Sequence, residues 1–392
     1  MARTIGLGIQ SFEKIITNNY FYVDKSNFIK EWWSNGDDVT LITRPRRFGK
    51  TLNMNMLERF FSINYKDQGH LFEHLSIWKD EEYRHLQGTY PVIFISFADI
   101  KETSIFGAKK KICQIIEALY NQYDFLPDSG YLNEKEKEHF QRISVDMNDY
   151  DTTNALKMLS LYLSRYYQKN VIILLDEYDT PLQEAYISGY WQEAVEFIRS
   201  LFNSTFKTNP YLERALMTGI TRISKESIFS DLNNLTVVTT TSDAYADCFG
   251  FTPQEVHNAL EEYGLLDNKD KVQDWYDGFC FGKQTGIYNP WSIINYLKMQ
   301  RFSTYWANTS SNELVGKLIQ EGSSSVKEVM EDLLNGGKLR TEIDEQMIFA
   351  QLDHNENAIW SLFLASGYLK FISYQSDEEW GKESYELSLT NK

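Results

Sequence analysis

The junction VTLIT-RPRRFGKT-LNMNMLERFFS, beginning at Val39, constrains the chain more than any other stretch. VTLIT (Val39 to Thr43) is a short apolar run with little alternation, which predicts a strand buried on both faces, as in a parallel sheet. Beyond Thr51, Leu52, Met56, Leu57 and Phe60 fall on one helical face. A strand, a tight loop and a helix in that order place the unpaired N–H groups of a helix N-terminus at the edge of a sheet, where the helix dipole favours an anion.

The loop ends in Gly49-Lys50-Thr51, the last three positions of the phosphate-cradling pattern Gly, four residues, Gly, Lys, Ser or Thr; its first position is Arg44 instead of glycine. Gly49 leaves room for close backbone approach, Lys50 is placed to contact the outer phosphates of ATP, and the Thr51 hydroxyl to ligate magnesium. The expected nucleotide-binding set is Arg44, Pro45, Arg46, Arg47, Phe48, Gly49, Lys50, Thr51 and Leu52. Arg44, Arg46 and Arg47 suit either a nucleic-acid groove or a polyphosphate, crowding near the nucleotide or facing a neighbouring subunit. With 39 basic and 55 acidic residues the net charge is -16, which repels a polyanion, and no aromatic-basic alternation continues from the loop, so phosphate is the stronger reading.

VIILLDEYD supplies the second half of a site. An apolar strand ending in Asp176 and Glu177 places one carboxylate beside the magnesium and the next within reach of an attacking water. Further runs at PVIFISFAD (Pro91 to Asp99), RALMTGI (Arg214 to Ile220) and LTVVTTT (Leu235 to Thr241) alternate with amphipathic stretches from Lys109, Asn154 and Trp191. That rhythm predicts an α/β core with a mostly parallel five-stranded sheet and both loops on the ligand-binding edge.

After about Phe249 the pattern becomes helical. FTPQEVHNALEEYGLL predicts a helix capped by Thr252 with Glu255 completing a capping box; DWYDGFCFG reads as a packed aromatic turn, and Pro290 of YNPWSIINYL suits a first helical turn. AIWSLFLASGYLKFISYQ then SYELSL predicts a helix stopped at Gly367 and two strands joined by SDEEWGKE, as in a winged-helix-like unit. The expected divisions are residues 1–248, 249–340 and 341–392.

The stretches FYVDKSNFI, TRPRRFGKTLNMNML, LLDEYDTPL, MTGITRISKESIFSDLNNL, WYDGFCFG, YNPWSIINYL and YWANTSSN resemble the bacterial AAA-ATPase-like family, P-loop ATPases of the AAA-like branch often fused to a PD-(D/E)XK nuclease-like domain. Within that family Arg44 in place of glycine is ordinary. The resemblance implies an ATP-binding core, a helical lid and a winged-helix-like end. It assigns Lys50 and Thr51 to phosphate and magnesium, Asp176 to the magnesium-associated carboxylate and Glu177 to water activation. Thr218 falls at the place of a polar γ-phosphate sensor, and Arg222 at that of a transition-state arginine acting in cis or on a neighbour, with an ion pair as its structural alternative. Tyr22, with Asp24 and Lys25, lies where related ATPases position the adenine. Downstream of the winged-helix-like end no acid-spacer-lysine arrangement of the nuclease type is found, so this chain by itself is not expected to cut nucleic acid.

Cys113, Cys248 and Cys280 have no zinc or disulfide spacing, and the longest aliphatic run, VIILL, is far too short to span a membrane, so a soluble cytoplasmic protein is expected. The expected activity is Mg-ATP hydrolysis driving conformational change in the C-terminal region. The alternatives are a nucleotide-gated interaction module of the STAND type, with a protein partner or a second copy of the chain, and an ATP-dependent nucleic-acid factor.

Overall fold

The computed structural model describes residues 2–222, 228–229, 231–306, 313–343, 352, 355–377 and 382–391. The first five strands are β1 (Val39–Thr43), β2 (Val92–Ser96), β3 (Val171–Asp176), β4 (Leu212–Gly219) and β5 (Leu235–Val238). They form one parallel sheet in the order β2-β3-β4-β1-β5, and β1 and β3 are buried at every position. The strand that separates β1 from β3 in space is β4, although β2 separates them in sequence.

Strand alternation decides which side chains meet. On one face Val39, Leu41, Ile173, Leu175, Ala215 and Met217 pack beneath the helices Ile105–Asn121, Asp149–Tyr167 and Trp191–Phe206. On the other, Ile42, Ile172, Leu174 and Leu216 pack against the loop helix Lys50–Phe61 through Met54, Met56, Leu57 and Phe60. Asp176 and Thr218 share the parity of Leu174 and Leu216, so the pleat directs both toward the loop helix.

Beyond the sheet, the helix Pro253–Glu262 starts as expected: Thr252 and Glu255 cap each other reciprocally. The helix Lys269–Tyr276 follows, and the aromatic stretch after it is a two-stranded hairpin, β6 (Phe279–Phe281) and β7 (Gln284–Ile287), rather than a simple turn. Asn289 caps the helix Pro290–Met299. The chain continues through Glu313–Glu321 and Ser324–Leu334, β8 (Leu339–Glu342), the helix Glu356–Ser366, which ends at the left-handed Gly367, then β9 (Leu369–Asp377) and β10 (Lys382–Leu389). These last strands form an antiparallel sheet ordered β8-β10-β9, one strand more than the sequence suggested. Residues 378–381 of the expected connector lie outside the described ones. Leu318, Val326, Leu333, Trp360 and Phe363 all belong to the apolar cluster that lines the first face of the parallel sheet, so the helices that carry them pack into the same core. Among the described residues no helix is long and apolar enough to cross a membrane.

Candidate nucleotide site

At the C-terminal edge of the sheet the loop after β1 closes over the ends of β3 and β4. Gly49 sits at φ 84° directly before the loop helix, a left-handed conformation that costs glycine nothing. Arg47, at φ 66°, adopts the same region against its side chain's preference. The Arg44 N–H donates to the carbonyl of Gly219 at 3.1 Å, tying the loop to the end of β4.

Thr51 Oγ1 donates to Asp176 Oδ2 at 2.7 Å, and the Thr218 hydroxyl donates to Asp176 Oδ1. Lys50 is 4% exposed; its Nζ donates to the carbonyls of Arg44 (3.1 Å) and Pro45 (3.2 Å) and lies 3.6 Å from Glu177 Oε1. Burial pushes the Asp176 carboxyl above its ordinary range and the charge of Glu177 adds to this, while the two hydroxyl bonds and Lys50 act in the opposite direction. Thr51 and Asp176 together offer an all-oxygen donor set beside a lysine, which fits a hard cation such as magnesium.

A cavity of about 420 Å³ opens in front of these groups, within the size range of small-molecule sites. Tyr22, Arg46, Arg47, Gly49, Lys50, Thr51, Leu52 and Glu177 border it. The Tyr22 hydroxyl donates to Met56 Sδ at 3.4 Å, and burial raises its pKa. Phe48 also borders the cavity, and its ring packs 4.7 Å from Phe279 and 5.4 Å from Phe281.

Several expected site residues are placed elsewhere. Arg44 does not border the cavity: it is fully buried, and its guanidinium donates to the carbonyls of Thr43, Thr239, Ala244 and Tyr245. It also lies over the rings of Phe281 (4.5 Å) and Phe249 (5.7 Å), and burial lowers its pKa to about 10, so it stays charged at neutral pH. The side chain that replaces the first glycine therefore points into the protein because carbonyls and aromatic faces there solvate it. Pro45 is also outside the lining and contributes only its carbonyl. Thr218 is buried behind Asp176 and spends its hydroxyl there, and Arg222 is half-buried outside the lining. Lys25 borders the cavity but is ion-paired with Glu255 at 2.7 Å, and Asp24 caps the N–H groups of Ser26 and Ser76.

Arg44→Gly restores the glycine of the general pattern, yet the expected outcome is a less stable protein. Four carbonyls, three of them buried, lose a charged donor, at a total cost on the order of 3 kcal/mol. A urea midpoint at or above that of the wild type would contradict this role.

Sequence reasoning missed part of the wall: Gly6 to Gln10, Lys101, Gln183, Glu184, Trp291 and Ile294. The glycine pair in IGLGIQ and the capped start of NPWSII were the available signals. Trp291 also carries the Arg47 guanidinium, 4.6 Å above its ring.

A parallel sheet ordered β2-β3-β4-β1-β5, with a GKT loop after β1 facing an aspartate at the end of β3, defines the core as a P-loop NTPase fold of the AAA-like branch. The chain matches the predicted AAA-ATPase family over residues 6–229 and belongs to it. An "Uncharacterized protein in vnfD 5'region" from Azotobacter chroococcum mcd 1 is 27% identical over 326 residues, covering 81% of this chain. The chain spans only 56% of that relative's length. A structure of C. elegans PCH-2 aligns over 87% of this chain and 64% of that one at 11% identity, but its TM-score of 0.26 is too low to bear on fold or function.

Proposed function

We propose that this chain binds Mg-ATP in the 420 Å³ cavity and hydrolyses the β–γ bond. The observation that carries the reading is the convergence of Lys50, Thr51, Asp176 and Glu177 on one sheet edge, with Thr51 2.7 Å from Asp176 and Lys50 3.6 Å from Glu177. The N–H groups at the start of the loop helix hold phosphate oxygens, and Lys50 balances charge on the outer phosphates. Thr51 and Asp176 would hold magnesium, which when bound would supply neutralisation of phosphate charge. Glu177 orients the attacking water and takes its proton as the water oxygen bonds to the γ-phosphorus; the bond to the bridging oxygen breaks, leaving ADP and phosphate.

The loop is also wired to the C-terminal half. The Arg46 carbonyl accepts from Asn289 Nδ2 (3.3 Å) and Trp306 Nε1 (3.2 Å), Phe48 packs in the β6–β7 hairpin, and Gly367 abuts Pro45 so closely that a Cβ there would lie 3.0 Å from it. A loop held on three sides by later elements supports transmission of nucleotide state to the lid and C-terminal unit. The same wiring favours the second reading, a nucleotide-gated switch with little turnover. The nucleic-acid reading is weaker: in the helix Glu356–Ser366, placed as a recognition helix would be, Ala358 to Leu364 are all buried and offer no groove-reading face.

Titration with ATP in magnesium, with phosphate release followed on the same samples, tests the proposal. Saturable binding and release that both weaken when EDTA removes magnesium are expected. Binding with retained, unhydrolysed ATP would favour the switch, and absence of binding would overturn both readings.

A further inference from the structure

Glu177 is held at φ 55°, a left-handed conformation that costs a non-glycine residue on the order of 1 kcal/mol and persists only where its surroundings impose it. Before it, Asp176 is pinned by Thr51 and Thr218. After it, two residues are lashed to the end of β4 and the turn that follows it. The Tyr178 N–H donates to the Thr218 carbonyl at 2.9 Å and its hydroxyl to the Thr221 carbonyl at 2.8 Å. Asp179 is fully buried, and its Oδ2 accepts from Ile220 N (3.0 Å), Thr221 N (2.9 Å), Thr221 Oγ1 (2.8 Å) and Gln183 Nε2 (2.8 Å).

The other oxygen, Oδ1, is buried without a hydrogen-bond partner among the described residues and faces Gly219, where a Cβ would lie only 2.7 Å away. A buried carboxylate with one oxygen unpaired is costly, so packing alone would favour a neutral residue of this shape. What the charge supplies is strength in a four-donor clasp.

We propose that Asp179 is a positioning residue that keeps Glu177 aimed into the cavity, by anchoring the backbone two residues beyond it to the turn Gly219–Thr221. This rests on Glu177 as the water-activating group. Gln183, on the cavity wall, is held by the same oxygen, so one side chain orders both the strand end and the start of the next helix, Thr180–Ser188.

The test is a double-mutant cycle on the full chain. Asp179→Asn preserves shape and relieves a buried charge, so the melting temperature should fall by only a few degrees. Its kcat should fall about 30-fold, with ATP affinity within about 3-fold of wild type. In the Glu177→Gln background the same change should cost less than about 2-fold, because Asp179 acts through Glu177. Thr221→Val, which removes one donor, should lose part of the rate, and Thr221→Ser should keep it. A kcat for Asp179→Asn near wild type, or a loss that multiplies fully with Glu177→Gln, overturns the proposal. A crystal structure of Asp179→Asn decides it independently of turnover: Glu177 should relax to negative φ, and retention of positive φ contradicts the assignment. If the wild type proves not to hydrolyse ATP, the catalytic reading fails while that structure still reports on the clasp.

Discussion

Lys50→Ala should weaken ATP binding at least 100-fold, about 2.8 kcal/mol, as measured by calorimetry or fluorescent-nucleotide displacement. Lys50 lies on the cavity wall with its side chain only 3% exposed, held by two carbonyls of its own loop and 3.6 Å from Glu177. Partial desolvation strengthens its attraction for phosphate relative to an exposed lysine. Two other cations on the wall, Lys25 and Arg47, are already engaged. Lys25 is paired with Glu255 and Arg47 is stacked on Trp291, while Arg44, off the wall, is engaged with carbonyls in the interior. The fold should survive, because the alanine leaves two carbonyls beside a cavity that water can enter. An affinity within a few-fold of wild type would place the phosphates elsewhere.

Glu177→Gln should give the opposite split. Nucleotide affinity should stay within about 3-fold of wild type, or tighten as a negative charge next to the phosphates is removed, while turnover falls roughly 100-fold or more. The glutamine can occupy the same space, and the left-handed backbone at this position is imposed by the clasp on either side. What it cannot do is accept the proton of water. A parallel loss of affinity and turnover would instead mark Glu177 as a structural partner of Lys50.

The parts of this architecture governed by local pattern were legible in the sequence. The five apolar runs coincide with β1 to β5 to within a few residues, because strands buried on both faces leave continuous apolar runs. The Thr252–Glu255 capping box and the helix stop at Gly367 follow from short-range hydrogen-bond and φ preferences and were legible for the same reason. Features closed by long-range contact were not. Arg44 belongs to the motif in sequence, but its partners at Thr239, Ala244 and Tyr245 lie some two hundred positions away, and nothing local shows that the side chain turns inward. The cavity wall draws on Gly6 to Gln10 and Trp291, where the local signals, a glycine pair and a helix cap, do not point to a ligand. Asp179 was visible as the last acid of DEYD, yet its role depends on the turn after β4, which reaches it only through strand order. β8 was missed because LRTE is short, charged and half-exposed, with neither the apolar run nor the alternation that marks a strand.

Convergence of Lys50, Thr51, Asp176 and Glu177 is what we propose makes this chain an ATP hydrolase. The most direct measurement is phosphate release by the purified wild-type chain at saturating Mg-ATP, set against the nucleotide content of the same preparation and against Glu177→Gln in parallel. Continuous release by the wild type, largely abolished by Glu177→Gln while nucleotide occupancy is preserved, is the predicted result. Full occupancy with no release above the Glu177→Gln background would contradict hydrolysis.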